Sequence, residues 1–432
     1  MPTFFAPSGA LKGRIRPPAD KSISHRAALI AGMCDSPVTI RNYLDSGDTN
    51  STLAAIQAVG AGVERRGGDI LVRGVGLSGA QQADGIVDVG NAGTLIRLMP
   101  GWLCGQPAGS WVLDGDESIR KRPMRRVVDP LREMGARIEA SSAGTPPVSI
   151  TAAPLHGIDY TMPVASGQVK SCLLLAGMAA SGTTRIREPQ ISRDHTERML
   201  AAAGLPIRRE GDTIVVDGLV DELELGEIEV PGDLSSAAFM IAAGVLVKGS
   251  RLIVEGVGLN RTRTGILTIL ERMGAVVLAD PERPGEQIPD HEPVGDLDVA
   301  ATPLVGTHVG GHEVPLAIDE LPLVALLGVF AEGETVVSGA QELRFKESDR
   351  IATVVDGLGG LGADIEGNDD GFVVRGTGSL RGGAISSHGD HRLAMLGAVA
   401  GLASEDGVEV TGMSAAAVSY PTFQTDLARL TS

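Results

Sequence analysis

A repeating unit of about 70 residues is the feature that most limits how this chain can fold. The unit opens with a polar cluster, continues as a helix of small apolar residues, and closes with a glycine turn and a β-branched strand. Copies of the unit begin at Asp20, Gly90, Ser166, Asp233, Asp319 and Asp390. Successive copies begin 70, 76, 67, 86 and 71 residues apart in a chain of 432 residues. Solenoid repeats are shorter, roughly 20–50 residues, so each copy is large enough to be a small fold.

A second element recurs between these openings. It is an amphipathic helix that ends in glycine and leads into strand-like segments, as in residues 53–74, 127–140 and 354–376. Each copy therefore predicts a helix, a strand, a second helix and further strands, which indicates an α/β chain. Residues 280–296, rich in proline, glycine and acidic side chains, lengthen the copy that begins at Asp233. We expect them to form a surface loop.

The charges at the start of the first copy raise a question. A helix is predicted to begin within PPADKSISHRAALIAG, residues 17–32, and its first turns carry Lys21 and Arg26. Cations are unfavourable at a helix N-terminus, by about 0.3–1 kcal/mol each. One interpretation is that both side chains are simply solvated. The other is that the helix start and its cations together bind an anion.

Polar and charged residues gather in the same way at the other helix starts. In these clusters and in residues 118–126 and 343–350 stand Lys21, Ser22, Arg26, Asn91, Gly93, Thr94, Arg97, Arg122, Ser166, Gln168, Lys170, Asp319, Lys346, Glu347, Arg350, Asp390, His391 and Arg392. Arginine forks and lysine point charges suit a small polyanion. Asp319 and Glu347 are acids among cations, as expected of proton-transfer groups. Taken singly, residues 118–126 could be a solvated basic loop, and Glu347 could simply pair with Arg350.

Composition excludes several classes of function. The net charge of −17 argues against binding of nucleic acid. The longest uncharged apolar run, residues 321–331, is well short of the ~20 residues that span a bilayer, and no secretory signal is visible. Three cysteines without paired spacing indicate reduced thiols in a cytoplasmic protein. With 3% aromatic residues and 58 glycines, the core must pack through small and aliphatic side chains.

The sequence favours neither a nucleotide-binding loop nor a helical zinc site. The chain has no Walker glycine-lysine loop, so a nucleotide-dependent kinase is not indicated. The HVGGH segment, residues 308–312, places two histidines four apart, but its glycines disfavour a helical zinc site.

Six ordered motifs identify a known family. DKSISHR, NAGT, KRPM, SGQ, KESDR and DHR, between residues 20 and 392, resemble the motifs of the enolpyruvyl transferases. SISHRAALI, GDESIRKRPM and RDHTE are similar to the bacterial class II branch of the members that act on shikimate 3-phosphate. The resemblance implies an α/β fold of two similar domains, each of three βαβαββ units in an inside-out α/β barrel, six repeats in total. It implies one discontinuous domain of residues 1–19 and 232–432, and a second of residues 20–231.

The resemblance also implies a reaction. The enolpyruvyl group of phosphoenolpyruvate would be transferred to the 5-hydroxyl of shikimate 3-phosphate, with release of phosphate, by addition and elimination. This step belongs to chorismate and aromatic amino acid biosynthesis in the cytoplasm. The resemblance calls for no metal or organic cofactor, and the family favours a monomer that acts on small molecules alone.

Individual roles are carried over by position. Asp319 would take the hydroxyl proton and Glu347 would handle the methylene group, with Lys21 nearby. The residues that resemble phosphoenolpyruvate ligands are Lys21, Gly93, Arg122, Gln168, Arg350 and Arg392. Those that resemble shikimate 3-phosphate ligands are Lys21, Ser22, Arg26, Ser166, Gln168, Arg193, Asp319 and Lys346.

The chain departs from the family pattern at several positions. Gly167 stands where many relatives carry a second serine, and Val418 where relatives carry a late lysine. RDHTE, residues 193–197, resembles relatives that tolerate the inhibitor glyphosate, whereas Gly93 resembles the sensitive state of its motif.

Two alternative functions were weighed. An enolpyruvyl transferase that acts on UDP-N-acetylglucosamine typically uses a loop cysteine as general acid, and residues 116–126 contain none. Cys104 instead follows an apolar helix. A non-catalytic anion-binding scaffold on the same fold would not need Asp319 and Glu347 together with the full set of cations.

Overall fold

Helices and strands alternate along the chain. The computed structural model describes residues 1–205, 207–285 and 287–431. The strands are β1 (Thr3–Phe5), β2 (Lys12–Ile15), β3 (Val38–Arg41), β4 (Gly62–Arg66), β5 (Asp69–Arg73), β6 (Ile86–Asp88), β7 (Ser110–Asp114), β8 (Arg137–Ala140), β9 (Val148–Thr151), β10 (Asp159–Thr161), β11 (Thr183–Arg187), β12 (Arg208–Glu210), β13 (Thr213–Asp217), β14 (Glu227–Glu229), β15 (Arg251–Gly258), β16 (Val276–Leu278), β17 (Val294–Ala300), β18 (Leu304–Val305), β19 (His308–Val309), β20 (Ala331–Glu332), β21 (Glu334–Val337), β22 (Asp364–Asn368), β23 (Gly371–Arg375), β24 (Gly383–Ser386) and β25 (Val408–Thr411).

The helices lie between these strands. They are α1 (Lys21–Gly32), α2 (Gly47–Ala58), α3 (Gly93–Leu103), α4 (Arg125–Glu133), α5 (Gly167–Ala179), α6 (His195–Ala202), α7 (Leu234–Leu246), α8 (Gly265–Arg272), α9 (Val314–Ala317), α10 (Leu321–Val329), α11 (Arg350–Gly360), α12 (His391–Ala403) and α13 (Phe423–Thr431). Short 3-10 turns cover Ile119–Lys121, Gln341–Phe345 and Met413–Val418.

Each copy of the repeat begins with the predicted helix. The helices concerned are α1, α3, α5, α7, α10 and α12. Four of them begin directly after a side chain that accepts a hydrogen bond from a backbone N–H of the first turn; these caps are Asp20, Ser166, Asp233 and Asp390. Such caps satisfy amide groups that a helix start leaves without a partner. The polar residue that opens each of these four copies therefore has a local structural role.

The sheets repeat as well. Five sheets share one pattern, a parallel pair at one edge followed by two antiparallel pairs, in the orders β14-β3-β5-β4, β6-β7-β9-β8, β10-β11-β13-β12, β2-β15-β17-β16 and β19-β21-β23-β22. A three-stranded sheet, β24-β25-β1, has the same parallel pair and one antiparallel pair. Parallel strands require a crossover connection, and the helix that opens each copy precedes one strand of the pair. The repeat read from the sequence is thus a repeat of helix and sheet.

Contacts divide the chain into two compact units. Unit 1 comprises Met1–Pro18, Pro231–Arg283 and Pro293–Ser432, and unit 2 comprises Ala19–Val230 and Pro284–Glu292. Residues 284–292, which the resemblance groups with 232–432, are thus grouped by their contacts with unit 2. Glu292 is bound there to His195, and the carbonyl of His291 is bound to Arg198. Between residues 280 and 293 every described residue lies outside helix and strand and is exposed or half-buried, as expected of a surface loop.

Each unit has its own hydrophobic core. Small residues let the helices of a core approach closely, as the composition predicts. At Gly101 on α3, an added Cβ would lie 2.2 Å from the carbonyl oxygen of Cys172 on α5. The two helix backbones therefore meet where a methyl group has no room. In the parts of the chain that the structure covers, no helix has both the length and the apolar character needed to cross a membrane.

We expect Gly101→Ala to destabilise unit 2, because its methyl group would press against the backbone of α5 rather than against a flexible side chain. Overpacking of this kind typically costs about 1–3 kcal/mol. The matched control is Gly93→Ala at the first residue of the same helix, where the nearest heavy atom to an added Cβ is 4.0 Å away. Urea unfolding of the two variants and the wild type measures the difference. Equal stability of both variants would show that α3 and α5 can separate freely.

Candidate active site

The two cations near the start of α1, Lys21 and Arg26, both have partners within the protein. Lys21 is partly buried, and its Nζ lies 3.4 Å from Oδ2 of Asp48 on α2. Arg26 is 2% exposed. Its Nε donates to Oγ1 of Thr196 at 2.9 Å, and its Nη1 donates to the carbonyl of Ser22 at 3.0 Å. The guanidinium thus ties the start of α1 to α6, which is a structural role that the sequence did not reveal.

The starts of α3 and α5 are joined through Gln168. Oε1 of Gln168 accepts from Nη1 of Arg97 at 2.6 Å, and Nε2 donates to Oγ1 of Thr94 at 3.0 Å. Gly93 opens α3, and Nη1 of Arg122 is the atom nearest to where its Cβ would stand. Unit 2 therefore brings polar residues from different copies of the repeat together at these helix starts.

Two more of the predicted ligands lie in unit 2. Ser166 caps α5 through a hydrogen bond from the backbone N–H of Val169 at 3.3 Å. Arg193 comes just before α6, and its Nη1 donates to Oγ of Ser22 at 3.3 Å. Arg193 and Ser22, assigned to one ligand by resemblance, are therefore in direct contact.

Lys170 does not belong to the polar cluster in which the sequence placed it. It is fully buried, with Nζ 2.8 Å from Oε2 of Glu188 and 2.7 Å from Oε1 of Glu197. Burial acts to lower the pKa of Lys170, but the charges of Glu197 and Glu188 outweigh it and hold the pKa above its usual value. Burial likewise raises the pKa of Glu197, against the effect of Lys170. The lysine is part of the core of unit 2 because it projects from α5 toward the segment that leads into α6.

In unit 1, Arg350 is the centre of a cluster of acids. It is 1% exposed, at the first residue of α11. Its Nε lies 2.8 Å from Oδ2 of Asp390, its Nη1 lies 3.1 Å from Oδ1 of Asp319, and its Nη2 lies 2.6 Å from Oε2 of Glu347. Burial acts to lower the pKa of Arg350, but the three carboxylates outweigh it and raise the pKa. One guanidinium thus holds the two predicted proton-transfer acids in a fixed relation. Glu347 does pair with Arg350, as the sequence alone allows, but the pair is one of three contacts that the same guanidinium makes.

Asp319 is surrounded by further cations. Lys346 Nζ lies 3.6 Å from its Oδ1, and Arg392 Nη2 lies 3.5 Å from its Oδ2. The predicted residues Asp319, Lys346, Glu347, Arg350 and Arg392 are therefore assembled in unit 1. Cations and helix starts of this kind can hold phosphate or carboxylate groups, and the two acids can move protons.

Two further acids belong to this cluster: Asp390, which the sequence marks only as a helix opening, and Glu320, which it does not mark. Asp390 caps α12 and also binds Arg350; burial acts to raise its pKa, but Arg350 outweighs burial and holds the pKa below its usual value. Glu320 is 2% exposed, 3.8 Å from Arg392, and burial raises its pKa. A cap signal identifies Asp390 in the sequence, but its pairing with Arg350 depends on how close the start of α11 comes to the start of α12. Glu320 carries no local signal.

The described residues offer no metal centre. Across residues 1–205, 207–285 and 287–431, no group of three or more His, Cys, Asp or Glu side chains is placed to hold a metal ion. In the HVGGH segment, Nε2 of His308 lies 3.3 Å from Oγ of Ser338.

Known proteins are similar to this chain along its whole length. The profile of the family described as EPSP synthase (3-phosphoshikimate 1-carboxyvinyltransferase) matches residues 5–427. The chain is 45% identical over 425 residues to the 3-phosphoshikimate 1-carboxyvinyltransferase of Bacillus cereus (strain 03BB102), which covers 98% of each chain. It is 44% identical to that of Bacillus thuringiensis (strain Al Hakam), again over 98% of each chain.

Solved structures agree with these similarities. EPSP synthase from Acinetobacter baumannii is 40% identical and matches with a TM-score of 0.86, over 99% of this chain and 97% of that one. The enolpyruvyl transferase NikO from Streptomyces tendae is 20% identical and matches with a TM-score of 0.77, over 99% of this chain and 96% of that one. The likeness to NikO is one of fold.

We expect Lys170→Met to destabilise the protein by about 3–5 kcal/mol at neutral pH, because it leaves Glu188 and Glu197 buried without their cation. Burial raises the pKa of Glu197, and in the variant Lys170 no longer opposes this effect, so that pKa lies above the unfolded value of about 4.3. The protonated form of Glu197 therefore stabilises the fold below that pH, and this contribution is lost as the pH rises through the folded pKa.

The defect should consequently shrink as the pH is lowered from 7.5 toward about 5. Thermal unfolding across that pH range measures it, with Lys248→Met at an exposed position as the control. A defect that is independent of pH would contradict the assignment of an ionic triad.

Proposed function

The chain belongs to the EPSP synthase family, and we propose that the residues gathered at its helix starts bind the two substrates and move the protons of its reaction. It is a 3-phosphoshikimate 1-carboxyvinyltransferase, a transferase of the shikimate pathway of aromatic amino acid biosynthesis. The substrates that the family implies are phosphoenolpyruvate and shikimate 3-phosphate. The side chains proposed to bind these substrates and to transfer protons are named below.

The observation that carries the proposal is the shared guanidinium of Arg350. Addition of the 5-hydroxyl to phosphoenolpyruvate requires that the hydroxyl lose a proton and that the methylene carbon gain one. Elimination of phosphate then removes a proton from that carbon. Two acids in a fixed relation meet this requirement, and Arg350 binds Asp319 at 3.1 Å and Glu347 at 2.6 Å.

The surroundings of the two acids differ. Lys346, Arg350 and Arg392 approach Asp319 from three elements. Nearby cations favour an ionised carboxylate, the form that accepts the hydroxyl proton. Glu347 has a side chain that is 27% exposed, so it remains accessible to a substrate methylene group while Arg350 orients it. Asp319 is therefore the proposed base for the hydroxyl, and Glu347 the proposed acid and base for the methylene carbon, with Lys21 as a third catalytic group.

The remaining side chains are proposed as ligands of the two substrates. Those for phosphoenolpyruvate are Lys21, Gly93, Arg122, Gln168, Arg350 and Arg392. Those for shikimate 3-phosphate are Lys21, Ser22, Arg26, Ser166, Gln168, Arg193, Asp319 and Lys346. The contact of Arg193 with Ser22 supports the second set, and the approach of Arg122 to Gly93 supports the first.

Further features of the family are proposed for this chain. The two units would be the two domains of the family, each of three βαβαββ units arranged as an inside-out barrel, and the repeated sheet order supports this. We propose a cytoplasmic monomer, in keeping with Cys34, Cys104 and Cys172, which are buried free thiols. Burial raises the pKa of Cys104 to about 12, so it is unsuited to the general-acid role that the rival transferase gives to a cysteine.

We expect Glu347→Gln to bind both substrates and to lose nearly all turnover. The amide keeps the shape of the side chain but cannot carry the proton, and such groups typically contribute roughly 100-fold or more. Phosphate release from phosphoenolpyruvate, measured with and without shikimate 3-phosphate, tests both the function and the residue. Wild-type protein should release phosphate only with both substrates, as should Glu332→Gln at an exposed position. A turnover rate of Glu347→Gln above about a tenth of the wild-type rate would show that Glu347 is not the proton-transfer group for the methylene carbon.

We expect Gly93→Ala to weaken inhibition by glyphosate more than it weakens binding of phosphoenolpyruvate. The protein itself leaves room for the methyl group, since the nearest atom, Nη1 of Arg122, would be 4.0 Å from it. A longer inhibitor has less freedom than the substrate to avoid that group, and overpacking costs about 1–3 kcal/mol, which corresponds to about tenfold or more in the inhibition constant.

The inhibition constant and the KM for phosphoenolpyruvate are compared in both forms. If the two constants rise equally, Gly93 does not discriminate between inhibitor and substrate.

A further inference from the structure

The described residues of 284–292, namely 284, 285 and 287–292, are called the strap; the chain on either side of them belongs to unit 1, whereas they lie in unit 2. In the sequence they stand between β16 and β17, an antiparallel pair that a short turn could join. The chain instead makes a longer excursion to reach α6. None of the roles proposed above uses this segment.

The end of the strap is bound to the first turn of α6. Oε1 of Glu292 lies 2.6 Å from Nδ1 of His195, whose side chain is 1% exposed, and the Glu292 side chain is 9% exposed. An ionised carboxylate can only accept, so Nδ1 donates in this bond. One residue earlier, the backbone carbonyl of His291 accepts from Nη1 of Arg198 at 2.8 Å. The strap therefore meets α6 through two partly buried hydrogen bonds, and each of them involves an ionisable side chain of α6.

Every side chain from residue 193 to residue 198 forms a hydrogen bond or an ion pair. Arg193 donates to Ser22, Asp194 accepts from Arg198, His195 binds Glu292, Thr196 accepts from Arg26, Glu197 pairs with Lys170, and Arg198 also donates to His291. Three of these contacts reach α1 and α5, and the Asp194–Arg198 pair is internal to the segment. The strap supplies the other two, through His195 and Arg198.

Arg193 and Thr196 connect this turn to the start of α1. Arg193 contacts Ser22 directly, and Thr196 receives Nε of Arg26, a side chain that also donates to the carbonyl of Ser22. A shift of the turn would therefore move Arg193, Arg26 and Ser22 together. These are three of the groups proposed as ligands of shikimate 3-phosphate.

We propose that the strap is a positioning element for the shikimate 3-phosphate ligands, and that Glu292 acts through His195 to fix the turn that carries Arg193 and Thr196. This inference rests on the proposed ligand roles. Glu292 is a positioning residue and touches no reacting atom. Nε2 of His195 is already buried without a hydrogen-bond partner among the described residues. Loss of Glu292 would leave both ring nitrogens unsatisfied, and a buried polar group in that state favours rearrangement of the turn.

The test compares variants of neighbouring strap residues. Glu292→Ala removes the acceptor, and Glu292→Gln keeps an acceptor oxygen but removes the charge. The matched control is His291→Ala, because the side chain of His291 is 74% exposed and its backbone carbonyl remains in place. The readouts are kcat, the KM for each substrate, and calorimetric binding of shikimate 3-phosphate alone.

We expect Glu292→Ala to raise both the KM and the dissociation constant for shikimate 3-phosphate about fivefold, a size typical of changes along a packed network. The KM for phosphoenolpyruvate and kcat should change by less than about twofold, Glu292→Gln should show a smaller effect of the same kind, and His291→Ala should match wild type. If Glu292→Ala does not fold, Glu292→Gln decides the matter by the same measurements.

Unchanged binding of shikimate 3-phosphate in a folded Glu292 variant would overturn the inference. So would equal losses for both substrates, or an equal effect of His291→Ala. Failure of the proposed function is distinguishable, because the wild type itself would then fail to release phosphate from phosphoenolpyruvate in the presence of shikimate 3-phosphate.

Discussion

The buried caps of three repeated helices, α1, α7 and α12, are the constraint on which the structure depends. A helix start has backbone N–H groups that need acceptors, and at these three starts the acceptor itself is buried. Acidic caps meet this need at Asp20, Asp233 and Asp390, each of which is buried. A buried carboxylate in turn needs a cation. Asp233 is therefore paired with Arg263 and Asp390 with Arg350, so the caps themselves account for arginines at helix starts.

This coupling explains how one set of side chains serves both fold and chemistry. Arg350 is nearly inaccessible and shares its donors among Asp390, Asp319 and Glu347. Its bond to Asp390 belongs to the cap of α12, whereas its bonds to Asp319 and Glu347 orient the proposed proton-transfer groups. The orientation of the two acids is thus tied to the ion pair between the start of α11 and the cap of α12. Precise placement of such groups is what acid–base catalysis requires.

Unit 2 uses a different device around its proposed ligands. Instead of one central guanidinium, it has the segment 193–198 at the start of α6. Side chains of this segment contact α1, α5 and the strap. Lys170 anchors this segment to the core through Glu197, Arg26 ties it to α1 through Thr196, and the strap reaches it through His195. Because the start of α6 is held by several other segments, Arg193, which lies just before that helix, can be kept beside Ser22.

The sequence by itself determined the six helix openings, the caps, the alternation of helix and strand, and the residues from which the proposed site is drawn. These features are local, because caps act within about four residues and repeats recur in register. Tertiary structure alone decided the partners of the charged side chains. Lys170 turned into the core, Arg26 reached Thr196 at a separation of 170 residues, and Glu292 reached His195 at 97. Charge partners of this kind depend on which distant segments pack together, and local periodicity carries no information about that.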